Sequence, residues 1–269
     1  MTNMNPYLPF ASEILEVIKH TEKEYTFRMA FEGEVRPGQF FEVSIPKYGE
    51  APISVSGIGK DDAGRGFVDL TIRKVGRVTN EVFEHYKGQS LLLRGPYGNG
   101  FDTALYENGE TVVVAGGTGV SPVRGVIQAL SEMPDAEQKY VIAGFRSPGD
   151  MLFRDDLKTW ENKLNLILTV DGAPEGYTGN IGLVTKYIAD LPLKDPEKAR
   201  AVVVGPPPMM KFTIIELKKK GFKDENITVS HERKMCCGLG KCGHCRVNDR
   251  YICLDGPVFS YAEARDFVD

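Results

Sequence analysis

The chain has no cysteine in its first 235 residues, and all five of its cysteines lie between residues 236 and 253. It has no apolar run near the roughly 18 residues that a membrane-spanning helix needs. Its first ten residues lack the basic segment and the apolar core of a signal peptide. A net charge of −4 gives no basic field that would attract nucleic acid. These absences predict a soluble cytoplasmic protein, and in that compartment clustered cysteines are more often metal ligands than disulfides.

The chain is long enough for two domains and a small module, since it has 269 residues, of which 42% are hydrophobic. The first hundred residues contain six short runs rich in β-branched and aromatic residues, separated by turns. In FVDLTIRKV, residues 67–75, apolar and polar residues alternate, so one face of this strand is buried. One short helix, residues 78–87, interrupts the strands. The pattern predicts a six-stranded antiparallel β-barrel.

From about residue 105 the pattern changes to continuous apolar runs that alternate with helical segments. The run TVVVAGG, residues 111–117, precedes the amphipathic segment 121–133, and further cycles follow. The helical segments predicted in those cycles are residues 150–160, 180–191 and 209–221. Such alternation predicts a Rossmann-like parallel sheet that is covered on both faces. The expected domains are the barrel at 1–104, the α/β domain at 105–228 and a cysteine module at 229–269.

Two glycine-containing loops follow strands of the α/β domain. In VAGGTGVSPV, residues 114–123, Gly116, Gly117 and Gly119 let the backbone approach a ligand, and the next helix begins with free N–H groups that suit a phosphate. In VVVGPPPMM, Gly205 ends a later strand at the carboxyl edge, where open α/β sheets bind ligands. The alternatives are a tight strand–helix turn in the first loop and a helix start with proline in its first turn in the second.

The outer surface of the predicted barrel is a second candidate site. Alternation along APISVS, residues 51–56, places Pro52, Ser54 and Ser56 outside. Arg73 faces outward by the same argument, and the short helix begins soon after it. An outward serine, an arginine and a helix N-terminus suit a flat cofactor with a pyrophosphate. A solvated barrel face is the alternative.

The cysteines are the most specific signal in the sequence. The spacing Cys237-x4-Cys242-x2-Cys245 is that of plant-type [2Fe–2S] clusters. The segment RVNDRYI predicts a tight hairpin with its Asn-Asp pair at the tip, which returns Cys253 to Cys245 as the fourth ligand. Cys236 is then left over. Glycines between the ligands let the loop wrap tightly and aim N–H groups at the sulfurs.

A structural zinc site is the alternative for these cysteines, because zinc also binds four thiolates. Zinc sites usually show paired C-x2-C knuckles, and this stretch has one. His244 lies inside the loop, and with four cysteines available we expect it to donate a hydrogen bond near the ligands rather than to bind metal. The odd number of cysteines and the expected compartment argue against disulfides.

Seven motifs occur in order between residues 49 and 259: GEAPISVS, VGRVT, GPYGNGF, VAGGTGVSPV, VVVGPPPMM, CGLGKCGHC and CLDGPVF. In these motifs the chain resembles the electron-transfer flavoprotein subunits of the ferredoxin–NADP reductase superfamily. That group includes the electron-transfer subunits of dihydroorotate dehydrogenase and of anaerobic sulfite reductase, and the gamma subunits of sulfhydrogenases. The ending DGPVFSYAEARDFVD, with GKCGHC, is most similar to the anaerobic sulfite reductase member. The resemblance spans nearly the whole chain, and the cysteine motif is its most specific part.

The resemblance implies three cofactors: FAD outside the barrel, NADH (alternatively NADPH) on the α/β domain, and a [2Fe–2S] cluster. The residues that match the family's flavin strands and phosphate turn are Pro52, Ile53, Ser54, Ile72, Arg73, Gly76, Val78 and Thr79. Those that match its dinucleotide loops are Gly116, Gly117, Thr118, Gly119, Gly205, Pro206 and Met209. Those that match its cluster ligands are Cys237, Cys242, Cys245 and Cys253.

Two positions depart from the superfamily pattern. The flavin strand usually begins with an arginine that pairs with the pyrophosphate, and here that position is Ala51. The phosphate charges are then left to Arg73, Lys74, Arg77 or helix N–H groups. The far dinucleotide loop often carries a cysteine near the nicotinamide, and here that position is Val204. A thiol at that place is therefore not essential in this chain.

The resemblance implies a subunit that oxidises NADH with FAD and passes single electrons through the cluster to partner subunits of a dissimilatory, anaerobic sulfite reductase. The cofactors make and break the bonds, so no catalytic side chain is predicted, and Ser54 is expected to tune the flavin by a hydrogen bond. Five cysteines are too few for both this cluster and a sirohaem-bridging cluster. Sulfite would therefore be reduced to sulfide on iron–sulfur and sirohaem subunits, and neither nucleic acid nor a membrane is expected as a partner.

Three alternatives stay open. The same electron-transfer role would serve dihydroorotate dehydrogenase or a sulfhydrogenase. The chain would otherwise be a stand-alone NAD(P)H–ferredoxin oxidoreductase, or a nucleotide-binding regulatory protein with a zinc-stapled tail. The family resemblance favours NADH, although Arg146 and Arg154 follow the second strand of the α/β domain, where the 2′-phosphate of NADPH would lie.

Overall fold

Residues 5–85 and 89–267 are described by a computed structural model, and they divide into two units. The first unit comprises the described residues up to Phe101 together with residues 231–258 and Phe267. The second comprises Asp102–Ser230 and Phe259–Asp266. The residues that contain the cysteines thus belong to the same unit as the N-terminal hundred residues. The domain boundaries near residues 104 and 228 stay predictions.

The first unit contains a barrel that six antiparallel strands close, in the order β1-β2-β5-β4-β3-β6 among the described residues. The strands are β1 (Phe10–Lys19), β2 (Glu24–Ala30), β3 (Phe40–Ile45), β4 (Gly49–Lys60), β5 (Gly66–Arg73) and β6 (Ser90–Tyr97). The alternation read in residues 67–75 is that of β5, where Val68, Leu70 and Ile72 are fully buried in the barrel core. The predicted antiparallel barrel is confirmed.

Helix α1 (Arg77–His85) connects β5 to the last barrel strand. Val82 and Phe83 on this helix are buried and belong to the same apolar core as the strands. The helix predicted at residues 78–87 is therefore present, and its last two residues lie outside the described part of the chain.

A bulge in β4 changes the surroundings of one predicted surface residue. The register of β4 against β5 shifts between Val55 and Gly57. Ser56, which lies at this shift, is fully buried. Its hydroxyl donates to the carbonyl oxygen of Asp69 at 3.1 Å and hydrogen-bonds the Thr71 hydroxyl at 2.7 Å. Ser56 is thus not on an open outer surface, because its hydroxyl is taken up by the neighbouring strand.

The second unit is built on a sheet of seven strands, counted in the described residues, in the order β10-β9-β8-β7-β11-β12-β15. The strands are β7 (Thr111–Gly116), β8 (Lys139–Phe145), β9 (Asn165–Val170), β10 (Asn180–Ile181), β11 (Arg200–Val204), β12 (Ile227–Ser230) and β15 (Val258–Ser260). The pairs from β10 to β12 are parallel. The helices are α2 (Val120–Ser131), α3 (Arg154–Glu161) and α4 (Pro207–Lys220). The predicted parallel α/β sheet is confirmed.

The helix predicted at residues 180–191 is wrong. Asn180–Ile181 instead form β10, which pairs in parallel with β9. Gly182 follows with a φ of 137°, a conformation that only glycine adopts easily and that ends any helix at this point. The apolar periodicity of this segment corresponds to a single 3₁₀ turn, Val184–Tyr187.

The remaining strands and α-helices lie within and directly after the cysteine-rich segment. They are the two-stranded hairpin β13 (Arg246–Val247) and β14 (Arg250–Tyr251) and the short helices α5 (Ile252–Asp255) and α6 (Tyr261–Ala264). In residues 5–85 and 89–267, none of the helices has the length and apolar character required to cross a membrane.

Candidate cluster and nucleotide sites

The cysteine thiols of residues 237–253 form two pairs. The Sγ atoms of Cys245 and Cys253 lie 3.2 Å apart, and both residues are buried. Cys237 and Cys242 lie close enough for each thiol to affect the pKa of the other, with Cys237 half-buried and Cys242 exposed. Each pair forms without Cys236, which is half-buried. The four predicted ligands are therefore brought together two by two.

The hairpin explains how Cys253 reaches Cys245. Asn248 lies between β13 and β14 with a φ of 50°, a left-handed conformation that asparagine tolerates at a tight turn. The backbone N–H of Ile252 donates to the Cys245 carbonyl oxygen at 3.2 Å. Chain reversal at the tip therefore sets the two buried thiols side by side, as the sequence RVNDRYI predicts.

Backbone N–H groups of the loop point at two of the sulfurs. Leu239 and Lys241 donate to the Sγ of Cys237 at 3.3 and 3.4 Å. Gly240 donates to the Sγ of Cys253 at 3.2 Å. Gly240 has a φ of 66°, a left-handed conformation that glycine adopts easily. In this conformation successive N–H groups of the loop point at thiols of different pairs. Hydrogen bonds to cysteine sulfur are one of the means by which proteins set the potential of an iron–sulfur cluster.

These contacts act on the thiol pKa values in opposite directions. Burial acts to raise the pKa of Cys237, but the N–H groups of Leu239 and Lys241 outweigh it and leave that pKa below the ordinary value. The N–H of His244 is the main cause that lowers the pKa of Cys242. Burial, with Cys245 alongside, raises the pKa of Cys253 to about 12. A metal centre that takes all four thiolates would therefore displace a proton from Cys253.

The donor set fits a binuclear cluster. In a [2Fe–2S] centre each iron takes two protein ligands, so two thiolate pairs are required. A tetrahedral zinc ion would instead need its ligands to meet at one point. Among the described residues, no group of three or more His, Cys, Asp or Glu side chains is placed to hold a single metal ion. The exposed His244 takes part in the loop through its backbone N–H.

Arg94, a residue that sequence reasoning missed, connects the cysteine loop to the barrel strands. This residue of β6 is only 5% exposed. Its guanidinium donates to the carbonyl oxygens of Cys236 and Cys237 at 2.8 and 2.5 Å. It also donates to both carboxylate oxygens of Glu50, at 3.1 and 2.6 Å, and to the Tyr97 hydroxyl at 2.9 Å. A charged residue in the otherwise apolar run SLLLRGP is the signal that could have indicated it.

Glu42 lies next to this arginine and is fully buried. Residues 42 and 94 are partners across β3 and β6. Neither carboxylate oxygen of Glu42 has a hydrogen-bond partner among the described residues. Burial raises the pKa of Glu42 to about 8, and Arg94 opposes that rise. An unpaired buried carboxyl is costly to a fold, so this position is a candidate for a functional role.

Some of the predicted flavin-contacting residues are accessible to a ligand, and others are buried in the core or paired with another side chain. Pro52 is exposed and Ser54 half-buried on β4, whereas the Ile72 side chain is in the barrel core, so only its backbone can face a ligand. Arg73 is paired with Glu24 at 3.1 Å. Ile53 and Val78 pack against the core, and Gly76 lies in the turn before α1.

Thr79 holds the turn at the start of α1 together. Its hydroxyl accepts hydrogen bonds from the N–H groups of Val75 and Gly76 at 3.1 and 2.9 Å and donates to the Gly76 carbonyl oxygen at 3.1 Å. Thr79 thus fixes the geometry of the predicted phosphate turn, and a direct contact from its hydroxyl to a phosphate would compete with three existing bonds.

Arg77 is the most available cation for a pyrophosphate on this face. Lys74 is paired with Glu84 at 3.3 Å. Arg77, in the first turn of α1, instead donates to the Lys47 carbonyl oxygen at 3.4 Å and lies 5.3 Å from the centre of the Tyr48 ring. No carboxylate among the described residues is paired with Arg77, and a guanidinium held by a carbonyl and an aromatic ring suits an anionic ligand.

The two glycine loops of the second unit meet at the carboxyl ends of β7 and β11. A methyl group placed on Gly119 would lie 2.7 Å from the Val204 carbonyl oxygen, and one on Gly116 would lie 2.3 Å from the Met209 sulfur. Gly205 packs against Met209 as closely, with a methyl group 2.6 Å from its Cε. Close packing against backbone therefore requires glycine at position 119, whereas at positions 116 and 205 the nearest atoms belong to the flexible end of the Met209 side chain. Gly117, Thr118 and Pro206, the other predicted contacts, are at least partly exposed around them.

Ser121 is a second polar residue that sequence reasoning missed, and it lies at this edge of the sheet. It belongs to the first turn of α2, is 5% exposed, and its hydroxyl has no hydrogen-bond partner in the described part of the chain. Arg146 and Arg154, the candidate contacts to a 2′-phosphate, are both exposed, and Arg154 donates to the Pro148 carbonyl oxygen.

Comparison with known proteins agrees with the two kinds of site. Residues 113–214 match the family of oxidoreductase NAD-binding domains. Residues 232–264 match the iron–sulfur cluster binding domain of dihydroorotate dehydrogenase B. A solved structure of NADH-dependent reduced ferredoxin–NADP oxidoreductase, described for flavin-based electron bifurcation, is 27% identical with a TM-score of 0.77, over 98% of this chain and 91% of that chain.

Two relatives match over nearly their full length. The chain is 36% identical to subunit gamma of sulfhydrogenase 2 from Pyrococcus furiosus, over 97% of this chain and 98% of that protein. It is 31% identical to the probable electron transfer subunit of dihydroorotate dehydrogenase B (NAD(+)) from the same organism, over 92% and 87% respectively. The chain therefore belongs to the family of sulfhydrogenase gamma subunits and dihydroorotate dehydrogenase B electron-transfer subunits, and it is an oxidoreductase with an NAD-binding domain and an iron–sulfur cluster binding domain.

Proposed function

We propose that this chain is an electron-transfer subunit that takes electrons from NADH by way of FAD and delivers them singly, through a [2Fe–2S] cluster, to a partner subunit. The observation that carries the proposal is the pairing of Cys237 with Cys242 and of Cys245 with Cys253. Two thiol pairs with N–H groups directed at the sulfurs suit a binuclear centre. The chemistry supplied by the bound groups is hydride acceptance by the flavin and one-electron transfer by the cluster.

The chain's own residues bind and orient these groups. On the barrel, Pro52 and Ser54 would border the flavin ring. Because position 51 is alanine rather than arginine, Arg77 and the N-terminal turn of α1 would bind the pyrophosphate. In the second unit the loops after β7 and β11 would hold the dinucleotide, and there Ser121 offers a hydroxyl that has no hydrogen-bond partner among the described residues. No side chain is assigned as a general acid or base, because hydride and electron transfer between cofactors do not need one.

Spectroscopy of the purified protein tests this proposal. Flavin absorption bands, about two irons and two sulfides per chain, and a reduced-state EPR signal of the [2Fe–2S] type are the expected result. A colourless protein that contains one zinc per chain and neither flavin nor sulfide would overturn it in favour of a nucleotide-binding regulatory protein. Initial rates of flavin reduction with NADH and NADPH decide the coenzyme, and we expect NADH to be faster.

For the terminal acceptor, the C-terminal sequence DGPVFSYAEARDFVD with GKCGHC supports an anaerobic sulfite reductase, in which iron–sulfur and sirohaem subunits would reduce sulfite to sulfide. The 36% identity to a sulfhydrogenase gamma subunit supports a hydrogenase-type partner instead. Affinity purification of the tagged chain from its native cells, followed by NADH oxidation assays with sulfite, polysulfide or orotate, separates these partners. Sulfite-dependent oxidation by a sirohaem-containing complex is the outcome expected for the first. Activity with polysulfide or orotate alone would replace it with a sulfhydrogenase or a dihydroorotate dehydrogenase.

A further inference from the structure

Arg94 is a buried cation whose contacts converge on one turn of the cysteine loop. Arg94 and the cysteines lie in the same unit of the chain. The side chain extends from the outer face of the barrel, since Leu91 and Leu93 of the same strand face the core. Two of its nitrogens reach the carbonyl oxygens of Cys236 and Cys237, which are consecutive residues. The second of these is the first proposed cluster ligand.

The arginine is itself held firmly from the barrel side. Glu50 binds it with both carboxylate oxygens, a bidentate arrangement that fixes the plane of the guanidinium. The Tyr97 hydroxyl accepts a further hydrogen bond from Arg94 and donates one to the Pro6 carbonyl oxygen at 2.6 Å. The Tyr97 ring also packs against the loop, because a methyl group placed on Gly238 would lie 2.6 Å from it. These contacts fix the position of Cys237 relative to the barrel strands.

The charge of this group is permanent. A guanidinium stays protonated in proteins, and Glu50 holds this one with both carboxylate oxygens. The pKa of Glu50 stays below its ordinary value for the reciprocal reason, since the bonds from Arg94 and Ser44 exceed the effect of burial. Glu42 is the second carboxyl beside Arg94, and burial keeps it largely protonated near neutral pH. Glu50 therefore balances the charge of Arg94, and loss of the arginine would leave that carboxylate as an uncompensated negative charge beside the cysteine loop.

The simpler role for such a residue is purely structural: its hydrogen bonds would act as a clamp that holds the loop in place. A clamp needs only donors, however, whereas Arg94 places a buried charge against the backbone of a proposed ligand. In a medium of low polarity a charge acts strongly on its neighbours. Reduction of a cluster by one electron adds one negative charge, and a fixed cation beside it favours that state.

We propose that Arg94 is a positioning residue for the cluster. Through two carbonyl hydrogen bonds it fixes Cys237, and its permanent charge stabilises the cluster after it has accepted one of the two electrons that NADH supplies through the flavin. The electron is the only species transferred in that step, and no proton moves. This inference rests on the proposed function, because it requires Cys237 to bind the cluster.

Potentiometric EPR titration of the purified protein tests the inference, with Arg94→Gln and Arg94→Lys compared with wild type. Arg94→Gln removes the charge and leaves Glu50 unpaired, so we expect the reduction equilibrium of the cluster to become about tenfold less favourable, a shift of ~59 mV to lower potential for a one-electron couple. Lysine keeps the charge but cannot span two carbonyls and a carboxylate as a planar fork does. Arg94→Lys should therefore show a smaller potential shift, with a changed EPR line shape and less iron per chain.

The matched control is Arg250→Gln, which removes an exposed arginine from the same module. Its potential should equal that of wild type, because solvent screens exposed charges. If Arg94→Gln does not fold, as judged by circular dichroism, Arg94→Lys decides the matter. Wild-type potential, line shape and iron content in a folded Arg94 variant would overturn the inference alone. Wild-type protein without iron and sulfide would overturn the proposed function and this inference with it.

Discussion

The buried thiols of Cys245 and Cys253 lie 3.2 Å apart across a hairpin whose tip is Asn248. The spacing of the first three cysteines says nothing about a fourth ligand, and the hairpin supplies it. The partner of this pair in the site is the more exposed pair of Cys237 and Cys242. One side of the cluster would therefore be enclosed and the other side open to solvent, which is where an electron can leave.

Substitution of Cys237 and of Cys236 should have opposite consequences. Cys237→Ser removes one member of a thiol pair, so we expect loss of the cluster, measured as iron, acid-labile sulfide and the reduced-state EPR signal. Flavin content and the rate of flavin reduction by NADH should stay close to wild type. Cys236 belongs to neither pair, so the Cys236→Ser variant should keep the cluster. Reversal of the two results would show that the assigned ligand set is wrong by one residue.

Gly119 should not accept even a methyl group. Its φ of −63° suits any residue, so the obstacle is contact with the backbone of the neighbouring loop, 2.7 Å away at the Val204 carbonyl oxygen. Gly119→Ala should destabilise the nucleotide domain by about 1–3 kcal/mol and weaken NADH binding, measured by thermal unfolding and by titration of NADH. Gly172→Ala is the control, since nothing lies within 4 Å of a methyl group there. Equal behaviour of the two variants would contradict the close approach of the loops.

Lys139 is a buried charge that the second unit requires. Its ammonium is fully buried and donates to the carbonyl oxygens of Tyr106 and Gly109 and to the Asp135 carboxylate, at 2.9, 2.7 and 2.7 Å. Lys139→Met leaves these acceptors unsatisfied and should lower the free energy of unfolding by about 3 kcal/mol.

The control for Lys139 is Lys158→Met. Lys158 is 77% exposed and lies 3.6 Å from Asp155 in an ion pair at the surface. Its loss should change the free energy of unfolding by less than ~0.5 kcal/mol. Chemical denaturation of both variants gives the comparison, and a similar small effect at both sites would show that the buried ammonium is not needed.

Glu42 should make stability depend on pH in a defined window. Its folded-state pKa of about 8 lies above the ordinary value of 4.5, so the folded state binds more protons than the unfolded state between these limits. By linkage, the free energy of unfolding falls as the pH rises from about 4.5 to about 8, and this contribution is constant above that range. Unfolding midpoints of wild type and Glu42→Gln at several pH values from 5 to 9 test this. The stability of Glu42→Gln relative to wild type should increase with pH. Unfolding midpoints that change in parallel for the two proteins would contradict the raised pKa.

The sequence by itself determined the elements whose pattern is local. Alternation in residues 67–75 is sufficient for β5, because side chains on a strand repeat every two residues. Continuous apolar runs followed by amphipathic segments are sufficient for the parallel sheet. The absence of a helix at residues 180–191 has a local cause as well, since the conformation of Gly182 ends a helix despite the apolar periodicity around it.

Only the tertiary structure decided what lies between residues far apart in the chain. Arg94 donates to the Cys237 carbonyl oxygen across 143 positions, and no periodicity encodes such a contact. The same holds for the burial of Glu42 and for the approach of Gly119 to Val204. The identities of the four thiols followed from spacing and a turn, which are short-range properties. The charge placed beside them depends on how the barrel packs against the loop, and that packing is a property of the whole fold.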